Sequence, residues 1–282
     1  MNTADLLERY GSGERDFRGI QLIGVDLSHQ DLSGANFRQS NLQNTNFLGA
    51  TLVGANFREA KLTAANFDQA TLILANLIGA DLADAQLVKA DLSEAGMRSV
   101  NLVRANLNQA VLRDTNLNEA ILDHATLHHA VLVEASLSRA RMLATDLSEA
   151  NLEHANLTNA LMNRAILRGA SLVGALLAGA TLEGADLQEA DLSRAKLLST
   201  NLVNVNLSQA NLRGANLSWS SLRGANLRGA TLYRTRLSWS NLSGADLTDA
   251  VMINAKIDYT NLRRTDVQGT IMPDGFTMGS QG

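Results

Sequence analysis

Apolar residues recur at every fifth position along most of the chain. From Phe17 to Met272, the 52 positions spaced by five are all apolar, and 40 of them are Leu. The residue two positions earlier is small, most often Ala, and the residue just before is frequently Asn or Asp. The repeating unit is therefore a small residue, Asn or Asp, Leu and two variable residues, with Gly common at the last position.

This period does not fit an α-helix. Five residues advance a helix by about 500°, so successive Leu side chains would wander around its surface. In an extended chain the small residue and Leu face the same way, and the residue between them faces outward. Because five is odd, the two remaining residues must form a turn, where Gly is permissive. The pattern predicts stacked extended coils filled by Leu and Ala, with Asn and Asp bonding nearby backbone at the walls.

The five-residue spacing does not define how many sides a coil has, but self-similarity at twenty residues points to four. Gly-Ala-Asn-Phe-Arg occurs at 34–38 and 54–58, and Leu-Ser-Trp-Ser at 217–220 and 237–240. The A-(D/N)-L-x-x pattern over residues 17–272 resembles the pentapeptide repeat proteins. The resemblance implies an all-β fold, a right-handed quadrilateral β-helix, with about 13 coils. The opening and the tail are similar to those of cyanobacterial members.

Three segments are expected. Residues 1–16 form an N-terminal cap with a short helix over 3–10, for which Thr3 is the expected N-cap and Gly11 the stop. Residues 17–272 form the β-helix. Residues 273–282 form a C-terminal tail that begins with a turn, and Phe276 is expected to cover the last coil.

The composition of the chain argues against several kinds of chemical site. The chain has no Cys, which excludes disulfides, thiolate catalysis and Cys-ligated metals. No signal peptide or long apolar run is visible, so a cytoplasmic protein outside the membrane is expected. A coil filled by Leu and Ala leaves no concave site, so neither an enzyme nor a cofactor is expected. His124, His128 and His129 are expected to point outward in different directions, without forming a metal site.

The C-terminal part of the chain carries the main candidate surface. Residues twenty apart should stack on neighbouring coils, which would align both Trp of the chain with one Tyr. Residues 194–264 contain ten basic and three acidic residues, whereas residues 59–193 contain nine and seventeen. The candidate interaction surface comprises Trp219, Trp239, Tyr259, Lys196, Arg234, Arg236 and Lys256. It is interpreted as a docking surface, the alternative being that stacked aromatics only stabilise neighbouring coils.

A secondary acidic patch is expected where like charges stack at Glu94, Asp114 and Glu134. The resemblance implies one alternative function, because some family members mimic DNA and bind DNA gyrase. Arginines such as Arg104 and Arg139 interrupt the acidic region, and the loop insertions of many gyrase-protecting members are missing.

The predicted function is a non-enzymatic protein–protein interaction or regulatory scaffold, with a purely structural rod as a further alternative. The expected partner is another protein. A homodimer is left open, and nucleic acid is disfavoured because no known binding motif is present.

Overall fold

The computed structural model describes residues 2–279. The chain divides into two compact units, unit 1 (Met1–Arg141) and unit 2 (Met142–Gly282). Helix α1, Thr3–Gly11, is the one helix among the described residues. The β-structure of both units consists of single-residue bridges rather than continuous strands. A corner at every fifth residue explains this, because it leaves each side too short for a longer ladder.

Within each unit, the parallel bridges join residues twenty positions apart. They run from Asp16↔Asn36 to Ile121↔Arg141 in unit 1, and from Asp146↔Ile166 to Val251↔Ile271 in unit 2. Four pentapeptides therefore complete one coil, as the self-similarity predicts. Backbone hydrogen bonds connect the layers: the Leu42 N–H donates to the Lys61 carbonyl oxygen at 2.8 Å, and the Lys61 N–H donates to the Ser40 carbonyl oxygen at 2.9 Å.

The core of each unit is made by the fifth-position residues and the small residues two positions before them. Every fifth-position side chain from Phe17 to Met252 is buried. In unit 1, Phe17, Phe37 and Phe57 stack with ring centroids 5.8 and 5.3 Å apart. Where Thr takes the place of Ala at the small position, its buried hydroxyl donates a hydrogen bond to a backbone carbonyl oxygen. Thr45 Oγ1, for example, donates to the Leu22 carbonyl oxygen at 2.6 Å.

The outward Asn and Asp side chains bond the backbone of their own corner, as predicted. Asn46 Oδ1 accepts the Leu48 N–H at 3.1 Å. The same residue also joins the layers: Asn46 Nδ2 donates to Asp26 Oδ1 at 2.9 Å, and Asn66 Nδ2 donates to Asn46 Oδ1 at 3.1 Å. These amides thus support each corner and connect it to the neighbouring coils.

From residue 19 to residue 269, the corners place the last residue of every pentapeptide in the left-handed region, whether or not it is Gly. Leu74 has φ 60° and Trp219 has φ 65°. This conformation is costly for residues with a side chain. It is held in place because the corner N–H bonds the next coil, as when the Leu74 N–H donates to the Ser93 carbonyl oxygen at 3.0 Å. No Val, Ile or Thr of the described residues has a positive φ.

The N-terminal cap contains the predicted helix, but the N-cap is Asn2 rather than Thr3. The Asn2 side chain accepts the Asp5 N–H at 2.9 Å, and the Asp5 carboxylate accepts the Asn2 N–H at 3.4 Å. This is a capping box, in which the Asn2 side chain accepts one hydrogen bond and the Asn2 backbone N–H donates the other. Gly11 is the last residue of the helix rather than its stop. Leu6 is fully buried.

The C-terminal tail departs from the prediction. Phe276 is 74% exposed and does not cover the last coil. The chain reverses after the turn at Pro273, and an antiparallel bridge joins Thr277 to Ile271, which leaves the Phe276 ring outside. The fifth-position residues at this end are only half-buried, namely Ile257, Leu262, Val267 and Met272. Residues 280–282, part of the predicted tail, lie outside the described residues.

None of the described residues belongs to a helix long and apolar enough to cross a bilayer.

Side-chain ion pairs also connect successive coils in unit 1. Arg104 Nε and Nη2 each donate to the Asp84 carboxylate at 2.7 Å. These hydrogen bonds, together with the positive charge of Arg104, lower the pKa of Asp84 below its ordinary value. The pKa of Asp31 is also lowered, chiefly by the Ser33 hydroxyl and N–H.

The strain at the corners predicts an asymmetric effect of swapping Leu and Ile. Leu74→Ile places a β-branched residue at positive φ and should lower the free energy of unfolding by about 1–2 kcal/mol. The reverse swap Ile23→Leu, at an equally exposed position without positive φ, should change it by less than about 0.5 kcal/mol. Urea titrations of both variants provide the measurement, and equal losses would show that the corner imposes no side-chain constraint.

The Arg104–Asp84 pair predicts a defined change in titration. In Arg104→Gln, the pKa of Asp84 should rise toward its ordinary value, because the charged donors are lost. Since the folded-state pKa is depressed, the pair stabilises the native protein above the unfolded-state pKa, and this stabilisation is lost as the pH falls through the folded-state value. Carboxyl-carbon NMR titration measures the shift, and Asp31 serves as the control that should not move.

Candidate functional site

The two Trp residues and Tyr259 form a continuous ladder on the outside of unit 2, here called the aromatic ladder. The rings of Trp219 and Trp239 are stacked, with centroids 5.0 Å apart and planes 2° apart. Those of Trp239 and Tyr259 are 4.2 Å apart at 18°. Backbone bonds hold the register, because the Trp219 N–H donates to the Ser238 carbonyl oxygen at 3.1 Å. The prediction that these three residues stack on successive coils agrees with this geometry.

All three rings remain accessible to a partner. Trp219 is 59% exposed and Tyr259 is 76% exposed, although both pack against Trp239. Each sits at a corner with positive φ, between 56° and 65°. A corner that Gly occupies elsewhere therefore carries bulky aromatic side chains, which add exposed apolar surface at the cost of backbone strain.

Beside the aromatic ladder runs a column of cations, here called the basic column: Lys196, Arg236 and Lys256. They occupy the outward position of one wall, where parallel bridges join Lys196 to Asn216, Asn216 to Arg236 and Arg236 to Lys256. All three side chains are exposed. Arg236 and Lys256 are direct neighbours, and adjacent like charges across a bridge are unfavourable.

The basic column has no internal counter-charge. Within the described residues, none of its three cations lies within ion-pair distance of a carboxylate, whereas Arg104 and Arg98 in unit 1 pair with Asp84 and Glu119. The column therefore repels itself and attracts anions. An external carboxylate or phosphate would relieve this repulsion.

Arg234 lies at the corner before the same wall and differs from the basic column in its contacts. Its guanidinium carbon is 5.0 Å from the centroid of the Tyr233 ring, and Arg213 approaches the same ring at 4.9 Å. These cation–π contacts orient Arg234 along the surface without neutralising its charge.

The secondary acidic patch lies on consecutive coils of unit 1. The Glu94 N–H donates to the Arg113 carbonyl oxygen and the Asp114 N–H to that of Val133, so Glu94, Asp114 and Glu134 occupy equivalent corners. All three are exposed. The preceding corners in this column are Gly54 and Leu74, so the patch is short.

The sequence analysis does not single out two further features of these surfaces. Asp258, beside Tyr259, accepts a hydrogen bond from Ser238 Oγ at 3.4 Å and places a carboxylate at one end of the aromatic ladder. At the other end, Leu198 is exposed next to Ser199. The twenty-residue stacking rule could have identified Ser199 as the residue that ends the ladder.

The histidines of unit 1 depart from expectation in one respect. The rings of His128 and His129 contact each other, with centroids 3.9 Å apart. The corner at His129, with φ 57°, brings consecutive side chains to one side, so they do not point in different directions.

The comparison with known families matches most of the chain. The model for pentapeptide repeats matches residues 20–58, 55–93, 95–139, 145–184, 175–214, 200–238 and 230–269. Among curated proteins, no sequence matches significantly.

Solved structures similar to this chain include two cyanobacterial pentapeptide repeat proteins. HetL from Nostoc sp. strain PCC 7120, involved in heterocyst differentiation regulation, is 28% identical, covers 99% of this chain and 100% of its own, and has a TM-score of 0.27. Rfr23 from Cyanothece 51142 is 25% identical, with coverages of 47% and 90% and a TM-score of 0.37. QnrB1, a plasmid-mediated fluoroquinolone resistance protein, is 20% identical, with coverages of 58% and 91% and a TM-score of 0.29.

Proposed function

Because this chain belongs to the pentapeptide repeat family, we propose that it is a non-enzymatic interaction protein that presents rigid coil walls to another protein. The proposal includes a right-handed helix of about 13 coils over residues 17–272, an N-terminal cap over 1–16 and a tail over 273–282. It also includes a cytoplasmic location.

One observation carries the proposal: unneutralised cations lie beside an exposed aromatic ladder. Among the residues that the structure describes, the basic column has no carboxylate partner, and Trp219 and Trp239 expose large rings next to it. Aromatic residues and Arg contribute most strongly to the binding energy of protein interfaces. We assign the interaction surface to Trp219, Trp239, Tyr259, Lys196, Arg234, Arg236 and Lys256.

The structural alternative explains less of this surface. Stacking between Trp219 and Trp239 stabilises neighbouring coils, so the ladder alone is compatible with a purely structural role. The basic column is not, because adjacent Arg236 and Lys256 repel each other without compensation. An anionic partner accounts for both features.

We also propose the acidic patch of Glu94, Asp114 and Glu134 as a second contact, for a basic partner. Its three corners form a smaller surface than the long acidic face that a DNA-mimic binder of gyrase requires. For this reason we favour a protein scaffold over that alternative.

The test is capture of partners from extract of cells that produce the protein, followed by titration of the purified partner. The native protein is compared with Arg236→Glu, Lys256→Glu, which should lose the partner because the surface changes from basic to acidic. The control Arg223→Glu, Arg263→Glu makes the same change in net charge at exposed positions of another column and should keep it.

Two outcomes separate the candidate surfaces. In the first, the partner still binds Arg236→Glu, Lys256→Glu but no longer binds Glu94→Lys, Asp114→Lys, Glu134→Lys. That result would assign the interaction to the acidic patch. A partner bound equally by all variants would refute both surfaces.

A further inference from the structure

The aromatic ladder ends with one open ring face. One side of the Trp219 indole lies against Trp239, with planes 2° apart. Its other side faces the preceding coil, where Ser199 occupies the equivalent corner and the Ser199 N–H donates to the Ser218 carbonyl oxygen at 3.1 Å. No aromatic ring or guanidinium of residues 2–279 contacts this face of Trp219.

The open layer has the thickness of one planar group. The coils repeat at about 4.8 Å, and the rings of the ladder are stacked at 5.0 and 4.2 Å. One coil further on, Gly179 carries no side chain, but Asn159 Oδ1 lies 2.3 Å from where a Cβ on Gly179 would be. The open layer, here called the slot, therefore lies between the Trp219 ring and the Asn159 side chain. Ser199 lies at its back, and the exposed side chain of Leu198 borders it.

The charges around the slot favour an anionic occupant. Lys196 lies on the same coil as Ser199, three residues earlier, and Arg236 continues the basic column beyond it. At the opposite end of the ladder, Tyr259 adjoins the Asp258 carboxylate, which would repel an acidic partner. The two ends of the ladder are therefore not equivalent, and the Ser199 end suits a partner with carboxylates.

Resting on the proposed function, we propose that the Ser199 layer receives one aromatic side chain from an acidic segment of a partner protein. The ring stacks on the open face of Trp219 and contacts Leu198, while flanking carboxylates pair with Lys196 and Arg236. Single-stranded nucleic acid fits less well. It binds by stacking successive bases on separate rings, and the inner faces of this ladder are already covered. A second copy of this chain is tested directly by the self-association of the native protein.

The slot can be filled from within the chain. Ser199→Trp should extend the ladder by one ring, because the φ of 55° at Ser199 is close to the 65° at which Trp219 already sits. The matched control is Asn204→Trp, which adds the same side chain at φ 55° on the next corner of the same coil. Both variants keep the net charge.

The probe is a random-peptide display library selected on the native protein. The enriched sequences should contain one Phe, Tyr or Trp flanked by Asp or Glu. A synthetic copy of the best sequence should bind Ser199→Trp at least about tenfold more weakly than the native protein, and Asn204→Trp equally well. Replacing the aromatic residue of the peptide by Ala should cause a similar loss.

Several results would overturn the slot: no enrichment, enriched peptides without an aromatic residue, or equal binding to Ser199→Trp. Preferential binding of single-stranded oligothymidylate, or self-association of the native protein that Ser199→Trp abolishes, would also overturn it. The natural partner separates this failure from that of the proposed function. If Arg236→Glu, Lys256→Glu loses the partner and Ser199→Trp retains it, the interaction surface stands and the slot fails.

Discussion

The structure depends on one constraint, which is the return of a buried side chain to the same inward position every five residues. An extended backbone alternates its side chains, so an odd period requires a corner in each repeat. The corner here is a residue in the left-handed region, such as Leu74 at φ 60°. Hydrogen bonds to the next coil compensate for its strain. The buried Leu, the corner and the inter-coil bonds are therefore inseparable.

This constraint leaves the outward positions free to carry function. Residues twenty apart are neighbours in space, so aromatic residues at three equivalent corners form a ladder, as with Trp219, Trp239 and Tyr259. The same rule places Arg236 beside Lys256. Because the backbone is already ordered, such columns are preorganised, and a partner binds without the entropy cost of ordering them. A repeating wall thus becomes a specific surface through changes that do not disturb the core.

The repeat made much of the fold predictable, because its register is unbroken from Phe17 to Met272. The coil periodicity and the stacking of Trp219 on Trp239 follow from the five-residue spacing together with the self-similarity at twenty residues. The ends were less predictable, since they lack the repeat and depend on individual contacts. Asn2 rather than Thr3 begins the helix, and Phe276 remains exposed because the tail reverses onto Ile271. Only the structure shows that no carboxylate of the described residues pairs with the basic column.

Hydrogen–deuterium exchange of the native protein, with and without its purified partner, tests the central claim most directly. The account predicts that partner binding slows exchange in segments spaced by twenty residues, at 196–199, 216–219, 236–239 and 256–259. Their amides lie on the wall and corner that carry the basic column and the aromatic ladder. Slowed exchange confined to other walls, or to the corners at 94, 114 and 134, would contradict the assignment of the interaction surface.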